Sequence, residues 1–251
     1  INARYFIKNL RTSVFAAGLA ILLCIPLGLS FFQQGGLARA SGVALWADTG
    51  PASRVNELRG DYTNISGLVP RIFHNKPVLY SMQFLSNWSE HFWGEFLFLS
   101  GDDIQRNKVP ETGELYLIEL VFLLYGLWVL FKSLDKKWFF VLVWLLVAPI
   151  PAALTFQSPH ALRAENMIVP LELISAFGLV QLVLLLKKIY RGRFMKLGTS
   201  AIVVLIVWSV ALYVHMYYVH MSTEYPFSSQ YGVKELVSYL APIHKNYEHV
   251  V

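Results

Sequence analysis

Arg163 lies in a short polar segment, residues 158–166, that leads directly into an apolar run. A guanidinium at such a place can form two parallel hydrogen bonds to a phosphate or a carboxylate. A helix that begins near Glu165 would add the positive potential of its N-terminus. The same spacing also suits an arginine that pairs with Glu165 or reaches toward the membrane surface. Arg163 is therefore a candidate anion-binding group, and the pattern leaves both roles open.

Two polar clusters flank a helical pattern between residues 77 and 99. The cluster before it is basic and consists of Arg71, His74 and Lys76. The cluster after it carries both signs of charge and consists of Asp102, Asp103, Arg106 and Lys108. Paired carboxylates can serve as a general base or as ligands of a divalent metal. A solvated polar turn has the same composition, so Asp102 and Asp103 alone indicate a metal only weakly and none is predicted.

Two acidic residues, Glu119 and Glu172, lie inside apolar runs. A charge within a membrane is costly, so such residues either form proton or cation sites or bond to a neighbouring helix. Both roles remain open for both residues. Glu172 is kept as a candidate pocket residue.

The composition favours a membrane protein and excludes several other classes. Hydrophobic residues make up 55% of the 251 residues and charged residues only 15%, against roughly 25% charged residues in soluble domains. The single cysteine, Cys24, excludes an internal disulfide and a metal site built on cysteine. Many basic residues behind the net charge of +5 lie in short loops between apolar runs. That placement is typical of membrane topology, so no nucleic-acid partner is predicted.

Five segments are apolar and long enough to span a bilayer, which takes about 20 residues. They are residues 13–32, 115–131, 138–154, 167–186 and 197–218. Each is predicted to be a helix, because backbone polar groups in hydrocarbon need internal partners. The sequence therefore predicts an all-α polytopic membrane protein. Its membrane domain covers residues 1–221, and residues 222–251 are the start of a truncated outer soluble domain.

Basic residues alternate between the two ends of these spans. They precede the first span, separate the second from the third and separate the fourth from the fifth, at Arg4, Lys8, Arg11, Lys132, Lys136, Lys137, Lys187, Lys188, Arg191, Arg193 and Lys196. Loops rich in lysine and arginine face the cytoplasm. We therefore predict a multi-pass protein of the plasma (inner) membrane with a cytoplasmic N-terminal end. The long loop 33–114 and the C-terminal tail are predicted to lie outside.

The outer loop 33–114 is too long for a simple connector. Within it, residues 77–99 carry apolar and aromatic side chains at helical spacing, which predicts an amphipathic helix. Such a helix suits the membrane–water interface, and it equally suits packing on the other spans. In the tail, an apolar face formed by Val233, Leu236, Val237 and Leu240 predicts one further helix.

Several runs of residues, taken in order, resemble one family of membrane enzymes. They are RVNELRG at 54–60, RIFHNKPV at 71–78, FLFLSGDD at 96–103, GELYL at 113–117, APIPAALT at 148–155, PHALR at 159–163 and QYGVKE at 230–235. Together they resemble GT-C-type glycosyltransferases that use a polyprenyl-phosphate sugar, the protein O-mannosyltransferase and aminoarabinose-transferase-like group. The resemblance covers about residues 33–240 and corresponds to the C-terminal part of the family's membrane domain.

The resemblance implies a GT-C-like fold and sugar transfer at the outer membrane face. A hydroxyl or amine of a protein, lipid or glycan acceptor would attack the sugar, and polyprenyl phosphate would leave. Cationic side chains would hold the departing phosphate, whose negative charge grows in the transition state. Arg163, with His160 beside it, is the first candidate for that role, followed by Lys76, His74 and Arg106. The residues expected to shape the pocket are Asp102, Asp103 and Glu172.

The resemblance also implies what this chain lacks. The family's catalytic acid comes from an early outer loop, ahead of where this chain opens, so no catalytic residue is predicted and the chain is expected to be inactive alone. No cofactor is predicted, because the lipid-linked sugar is a substrate. The expected partners are membrane lipids, the donor and the acceptor. Two alternatives remain: a transporter or flippase for a lipid-linked or anionic substrate that uses Glu119, Glu172 and Arg163, and a non-catalytic membrane scaffold.

Overall fold

The computed structural model describes residues 10–32, 41–64, 67–133, 136–228 and 230–243. Within these ranges the chain is built of helices and contains no β-strand, and the one extended pairing is an isolated antiparallel bridge between Ala44 and Thr155. The helices are α1 (Leu10–Phe32), α2 (Gly50–Gly60), α3 (Leu68–Phe73), α4 (Lys76–Glu90), α5 (Glu119–Ser133), α6 (Phe139–Val147), α7 (Ile150–Ala153), α8 (Ala161–Ala164), α9 (Ile168–Ile189), α10 (Arg193–His215) and α11 (Val233–Ile243).

Four helical stretches of the described chain are long and apolar enough to cross a membrane. They are Leu10–Ser30, Lys136–Ala153, Ala161–Ile189 and Arg193–Glu224. The first lies within α1, the second contains α6 and α7, the third contains α8 and α9, and the fourth continues α10 to Glu224. The chain is thus an α-helical membrane protein, as the composition predicted.

The span predicted at 115–131 differs from the observed helix. α5 begins at Glu119 and has 15 residues, about 22 Å at the α-helical rise, which is less than the roughly 30 Å of the hydrocarbon core. The first residues of the predicted span are held in another way, because the backbone N–H of Leu115 donates to the carbonyl oxygen of Leu97 at 2.8 Å. That bond keeps Leu115 out of the helix, and the regular helix therefore begins later.

The span predicted at 138–154 is present but interrupted. α6 ends at Val147, and Pro149 precedes α7, whose second residue is Pro151. Proline lacks a backbone N–H, so it breaks the regular helical ladder. The 3-10 turn Glu165–Met167 joins α8 to α9, so the helical path toward α9 starts at Ala161 rather than near Glu165.

The amphipathic helix predicted at 77–99 is shorter than expected. α4 ends at Glu90, and the chain turns before a wide helical turn at Glu95–Leu99. Phe96, Leu97 and Phe98 in that turn are buried in the main apolar cluster. These aromatic and leucine side chains therefore fill the core instead of continuing the face of α4. In the tail, the predicted helix is present as α11.

α5 and α9 form the closest helix crossing, and glycines make it. A Cβ atom at Gly178 would overlap the carbonyl oxygen of Phe122, and a Cβ at Gly126 would lie 2.5 Å from the carbonyl oxygen of Ile174. Small residues let membrane helices approach closely. The crossing fixes the relative positions of α5 and α9, and through them the two polar segments that precede these helices, residues 111–117 and 158–167.

Candidate functional site

Asp102 is the centre of the polar site and is fully buried. Its Oδ1 accepts the backbone N–H of Ile104 at 2.8 Å. Its Oδ2 accepts the side-chain amide of Asn107 at 2.9 Å and the backbone N–H of Ala161 at 2.8 Å. The last bond crosses from the segment before α5 to the segment before α9. One carboxylate thus joins the two stretches of sequence that carry the predicted anion-binding residues.

His160 lies directly against this carboxylate. Its Nδ1 is 3.6 Å from Asp102 Oδ2, beyond hydrogen-bond distance, and this buried nitrogen has no hydrogen-bond partner in the described part of the chain. Burial lowers the pKa of His160, and the positive charges of Arg163 and Arg106 lower it further, while Asp102 acts in the opposite direction. The structure therefore brings His160, Asp102, Arg163 and Arg106 within electrostatic reach of one another.

His91 supports the backbone of His160 from the opposite side. Its Nδ1 lies 2.8 Å from the carbonyl oxygen of Asn87, and its Nε2 lies 3.2 Å from the backbone nitrogen of His160. A carbonyl only accepts and a backbone N–H only donates. The ring is therefore neutral, with its proton on Nδ1 and with Nε2 as acceptor. Burial, the largest cause, lowers the pKa of His91 and so favours the same neutral form.

Asn87, one turn before His91 on α4, holds the chain that leads to Arg163. Its side-chain amide donates to the carbonyl oxygens of Ala153 at 3.3 Å and of Thr155 at 2.8 Å. Gln83, a further turn back, donates to the Asn87 Oδ1 at 2.7 Å. Because the side chain is buried and fully engaged, Asn87 acts as a clamp between α4 and the C-terminal end of α7.

Arg163 extends over the residues that Asn87 holds. Its Nη1 donates to the Thr155 Oγ1 at 2.8 Å, and that hydroxyl donates in turn to the carbonyl oxygen of Ala152 at 2.7 Å. The Arg163 side chain is half-buried. A guanidinium carries five N–H donors in a fixed fork, and the Thr155 contact fixes its direction.

The second basic cluster lies in a different environment. His74 contacts the Tyr62 hydroxyl through Nε2 at 3.0 Å, and its carbonyl oxygen accepts the Arg59 Nε at 2.6 Å. Lys76 begins α4 and is exposed. These contacts tie His74 to α2 and the turn after it. The structure thus separates Lys76 and His74 from the Asp102 cluster, although both groups were predicted to hold the same phosphate.

A cavity of about 470 Å³ is lined by segment 111–117 together with residues of α5, α9 and α10. Glu172, the predicted pocket residue on α9, lines it with Glu114 and Glu119. An adjoining cavity of about 250 Å³ shares Glu114 and is lined by Arg106. Burial raises the pKa of Glu114 to about 7. Glu114 Oε1 also accepts the backbone N–H of Asp102 at 3.2 Å, which connects the cavity to the Asp102 cluster.

Asp102 and Asp103, the two other predicted pocket residues, differ in burial. Asp102 is buried and lines neither of these two cavities, whereas Asp103 is exposed and lines a separate cavity of about 270 Å³. Among the described residues, no group of three or more histidine, cysteine, aspartate or glutamate side chains is arranged to hold a metal ion. Asp102 therefore shapes the site by fixing its loops rather than by facing a ligand.

Sequence reasoning missed Asn87, His91 and Glu114. For the first two a signal was present, since Gln83, Asn87 and His91 recur every four residues and form a polar stripe on a helix whose other faces are apolar. Such a stripe indicates a buried polar partner. Glu114 gave no comparable signal, because it belongs to no such periodic polar stripe.

Comparisons with known proteins assign no chemistry to this site. A buried carboxylate, two buried histidines and a half-buried arginine meet at the ends of apolar helices, next to an acidic cavity. No family model matches the chain, and neither a similar curated protein nor a similar solved structure was found.

Proposed function

We propose that this chain is part of a GT-C-type membrane glycosyltransferase that moves a sugar from a polyprenyl-phosphate donor to an acceptor at the outer membrane face. The supporting observation is the junction of two distant segments at Asp102. His160 and Arg163 come from one segment and Arg106 from the other, and both arginines act electrostatically on His160. An outer site that gathers cationic donors is what the leaving phosphate of such a reaction requires.

In this proposal Arg163 holds the donor phosphate. Its guanidinium is directed by Thr155, which Asn87 holds through the backbone. Interactions that stabilise a growing negative charge accelerate a reaction when they are oriented in advance. His160 lies beside Arg163 in the chain, with its Nδ1 buried against Asp102. Because burial favours the neutral ring, no second full charge is buried next to Arg163.

The proposal includes a fifth span that contains α5. Turns bonded at Tyr116–Glu119, Leu117–Leu120 and Ile118–Val121 lead into the helix. Helical structure from 116 to 133 covers about 27 Å at the α-helical rise, close to the roughly 30 Å of the hydrocarbon core. The glycine crossing with α9 also favours a position beside that span. Five spans place the basic residues 132–137 on the cytoplasmic side and segment 33–114 outside.

The cavity beside Glu114 provides room for the rest of a substrate. Its walls combine carboxylates with apolar and aromatic side chains, including Leu115, Tyr116 and Tyr213. A site with apolar walls and a few convergent polar groups is the usual form of a small-molecule site. We place the sugar or the acceptor there, with the phosphate toward Arg106 and Arg163.

The test is binding of polyprenyl phosphate by the full chain in nanodiscs, followed by sugar transfer by the full-length parent protein in proteoliposomes. We expect Arg163→Ala to weaken binding about tenfold, since a hydrogen bond to a charged group contributes roughly 1.5–3 kcal/mol. Arg163→Lys keeps the charge but loses the fork and should recover binding only in part. Arg193→Ala, at an exposed arginine that starts α10, is the control and should bind like the wild type.

Two results would contradict the proposal. Equal binding of polyprenyl phosphate by wild type and Arg163→Ala would show that Arg163 does not hold the phosphate. No release of polyprenyl phosphate by the wild-type parent protein with any labelled donor would argue against glycosyl transfer itself. A transporter is the second candidate, because Glu119 and Glu172 line the cavity of about 470 Å³. Proton-dependent uptake by liposomes that is lost in Glu172→Gln would support the transporter.

A further inference from the structure

Helix α3 leaves one apolar face open on the outer segment. Leu68, Val69, Ile72 and Phe73 are 77%, 52%, 58% and 62% exposed, respectively. The helical repeat places these four side chains on one side of the short helix, while Pro70 falls on the other side and is buried. The exposed set is named the α3 face below. Four adjacent large apolar side chains at this exposure indicate a surface that is covered in the native setting.

The segment beneath the α3 face is held firmly in place. The Asn75 side chain donates to the carbonyl oxygens of Arg71 at 2.9 Å and Ile72 at 2.8 Å. Its Oδ1 accepts the backbone N–H of Val78 at 2.9 Å and so caps α4. His74, between the two helices, is bonded to Arg59 and Tyr62. These hydrogen bonds fix the position of α3, so the α3 face is exposed in the folded chain.

Two cationic side chains lie beside this face. Arg71 is within α3 and Lys76 begins α4, and both are exposed. An apolar surface flanked by Arg and Lys matches the boundary of a lipid leaflet, where acyl chains lie next to phosphates. Basic residues near such a surface are attracted to anionic lipids.

We propose that the α3 face inserts into the outer leaflet of the membrane, with Arg71 and Lys76 on lipid headgroup phosphates. The outer segment packs against a membrane-crossing helix, because the Trp88 indole on α4 donates at 2.9 Å to the carbonyl oxygen of Leu146, within the span Lys136–Ala153. α4 therefore connects the α3 face to a helix that crosses the membrane. This role takes Lys76 out of the donor phosphate site and is independent of whether the protein transfers sugar.

The experiment places an environment-sensitive dye on the α3 face of the full chain. Cys24 is the only cysteine and is first replaced by serine, after which Phe73→Cys carries the dye. The matched control is Asn56→Cys on α2, which is exposed and polar. Both labelled chains are placed in nanodiscs of phosphatidylcholine with phosphatidylglycerol, with and without lipids that carry a quencher in the acyl chain. We expect quenching at residue 73 to exceed that at residue 56 by threefold or more.

Further variants test separately the apolar and the cationic parts of the proposed membrane contact. Val69→Asp with the dye at residue 73 should lose most of the quenching, because a carboxylate cannot enter the leaflet at low cost. Arg71→Gln combined with Lys76→Gln should reduce quenching in the anionic nanodiscs and leave it unchanged in phosphatidylcholine alone. Equal quenching at residues 73 and 56 would overturn the proposal. So would a dye at 73 that is shielded from water in detergent and nanodiscs alike yet insensitive to the lipid quencher, since a protein surface or a second copy would then cover the face.

Discussion

The protein has two pairs made of a histidine and a nearby cationic residue, and the two pairs lie in different surroundings. One pair is His160 and Arg163, and the other is His74 and Lys76. The first pair is tied to buried Asp102 and to Thr155, in a network in which most polar atoms have a defined partner. The second pair lies next to the exposed α3 face and contacts α2 only through His74. The sequence offers both pairs as phosphate ligands, and only the first is built into an interior site. Burial and connection, rather than residue type, distinguish a site from a surface.

The largest predicted difference between the two regions is at Asp102. Asp102→Ala removes three hydrogen bonds and leaves the part-buried N–H groups of Ile104 and Ala161 without their acceptor. A buried donor left without a partner costs about 1–3 kcal/mol, so we expect a loss of about 3 kcal/mol or more in the free energy of unfolding. Lys76→Ala, at an exposed position, should change it by less than about 0.5 kcal/mol.

Denaturation of both variants in detergent, followed by tryptophan fluorescence, measures this contrast. Asp102→Asn serves as an isosteric control, since its Oδ1 still accepts one N–H while its amide cannot accept the other two. It should fall between wild type and Asp102→Ala. If Asp102→Ala unfolds at the same denaturant concentration as Lys76→Ala, the carboxylate does not hold the two segments together.

The helices were predictable from the sequence because the signals that define them are local. Apolar runs and basic loops predicted α1, α9 and α10 within a few residues, and the apolar face at Val233 predicted α11. The start of α5 was not predictable in this way. It depends on the bond between Leu115 and the carbonyl oxygen of Leu97, which forms only once the segment before it has folded.

The candidate site was predictable in part for the same reason. Arg163 and His160 stand out within one short segment, and the charge of Arg106 acts on His160 in the structure. That Lys76 lies elsewhere follows from the contacts of His74 with Arg59 and Tyr62, which join residues 12 to 15 positions apart in the chain. Asp102 was expected to shape the pocket, and in the structure it is enclosed by N–H groups. Long-range pairing of this kind leaves no periodic pattern in a sequence.

A smaller contrast compares the two histidines that anchor these regions. His91→Ala removes the acceptor of the buried His160 N–H and the donor to Asn87, so a loss of about 2 kcal/mol is expected. His74→Ala removes one part-buried contact to Tyr62, and about 1 kcal/mol is expected. The comparison is made by unfolding both variants under the same conditions. A larger loss of stability for His74→Ala would mean that the contacts of His74, rather than those of His91, contribute more to the fold.

The smallest predicted effect is a dependence of stability on pH at the rim of the Asp102 cluster. Burial raises the pKa of Glu114 to about 7, above the roughly 4.3 of a glutamate in an unfolded chain. Between these values the folded carboxyl keeps a proton that the unfolded one has lost, so this group makes the protein less stable as the pH rises from about 4.5 to about 7. Above that window the loss is complete and constant.

Glu114→Gln cannot titrate, so its midpoint of thermal unfolding should fall less than that of the wild type between pH 5 and pH 7.5. The lowered pKa values of His91 and His160 act in the opposite direction below about pH 6.5, and they cancel in the difference because both proteins carry them. Glu111→Gln is the matched control, since Glu111 lines the same cavity but is exposed. Glu111→Gln should follow the wild-type curve. If Glu114→Gln also followed the wild-type curve, Glu114 would titrate as a glutamate does in water. Its surroundings would then resemble those of the exposed pair His74 and Lys76 rather than those of Asp102.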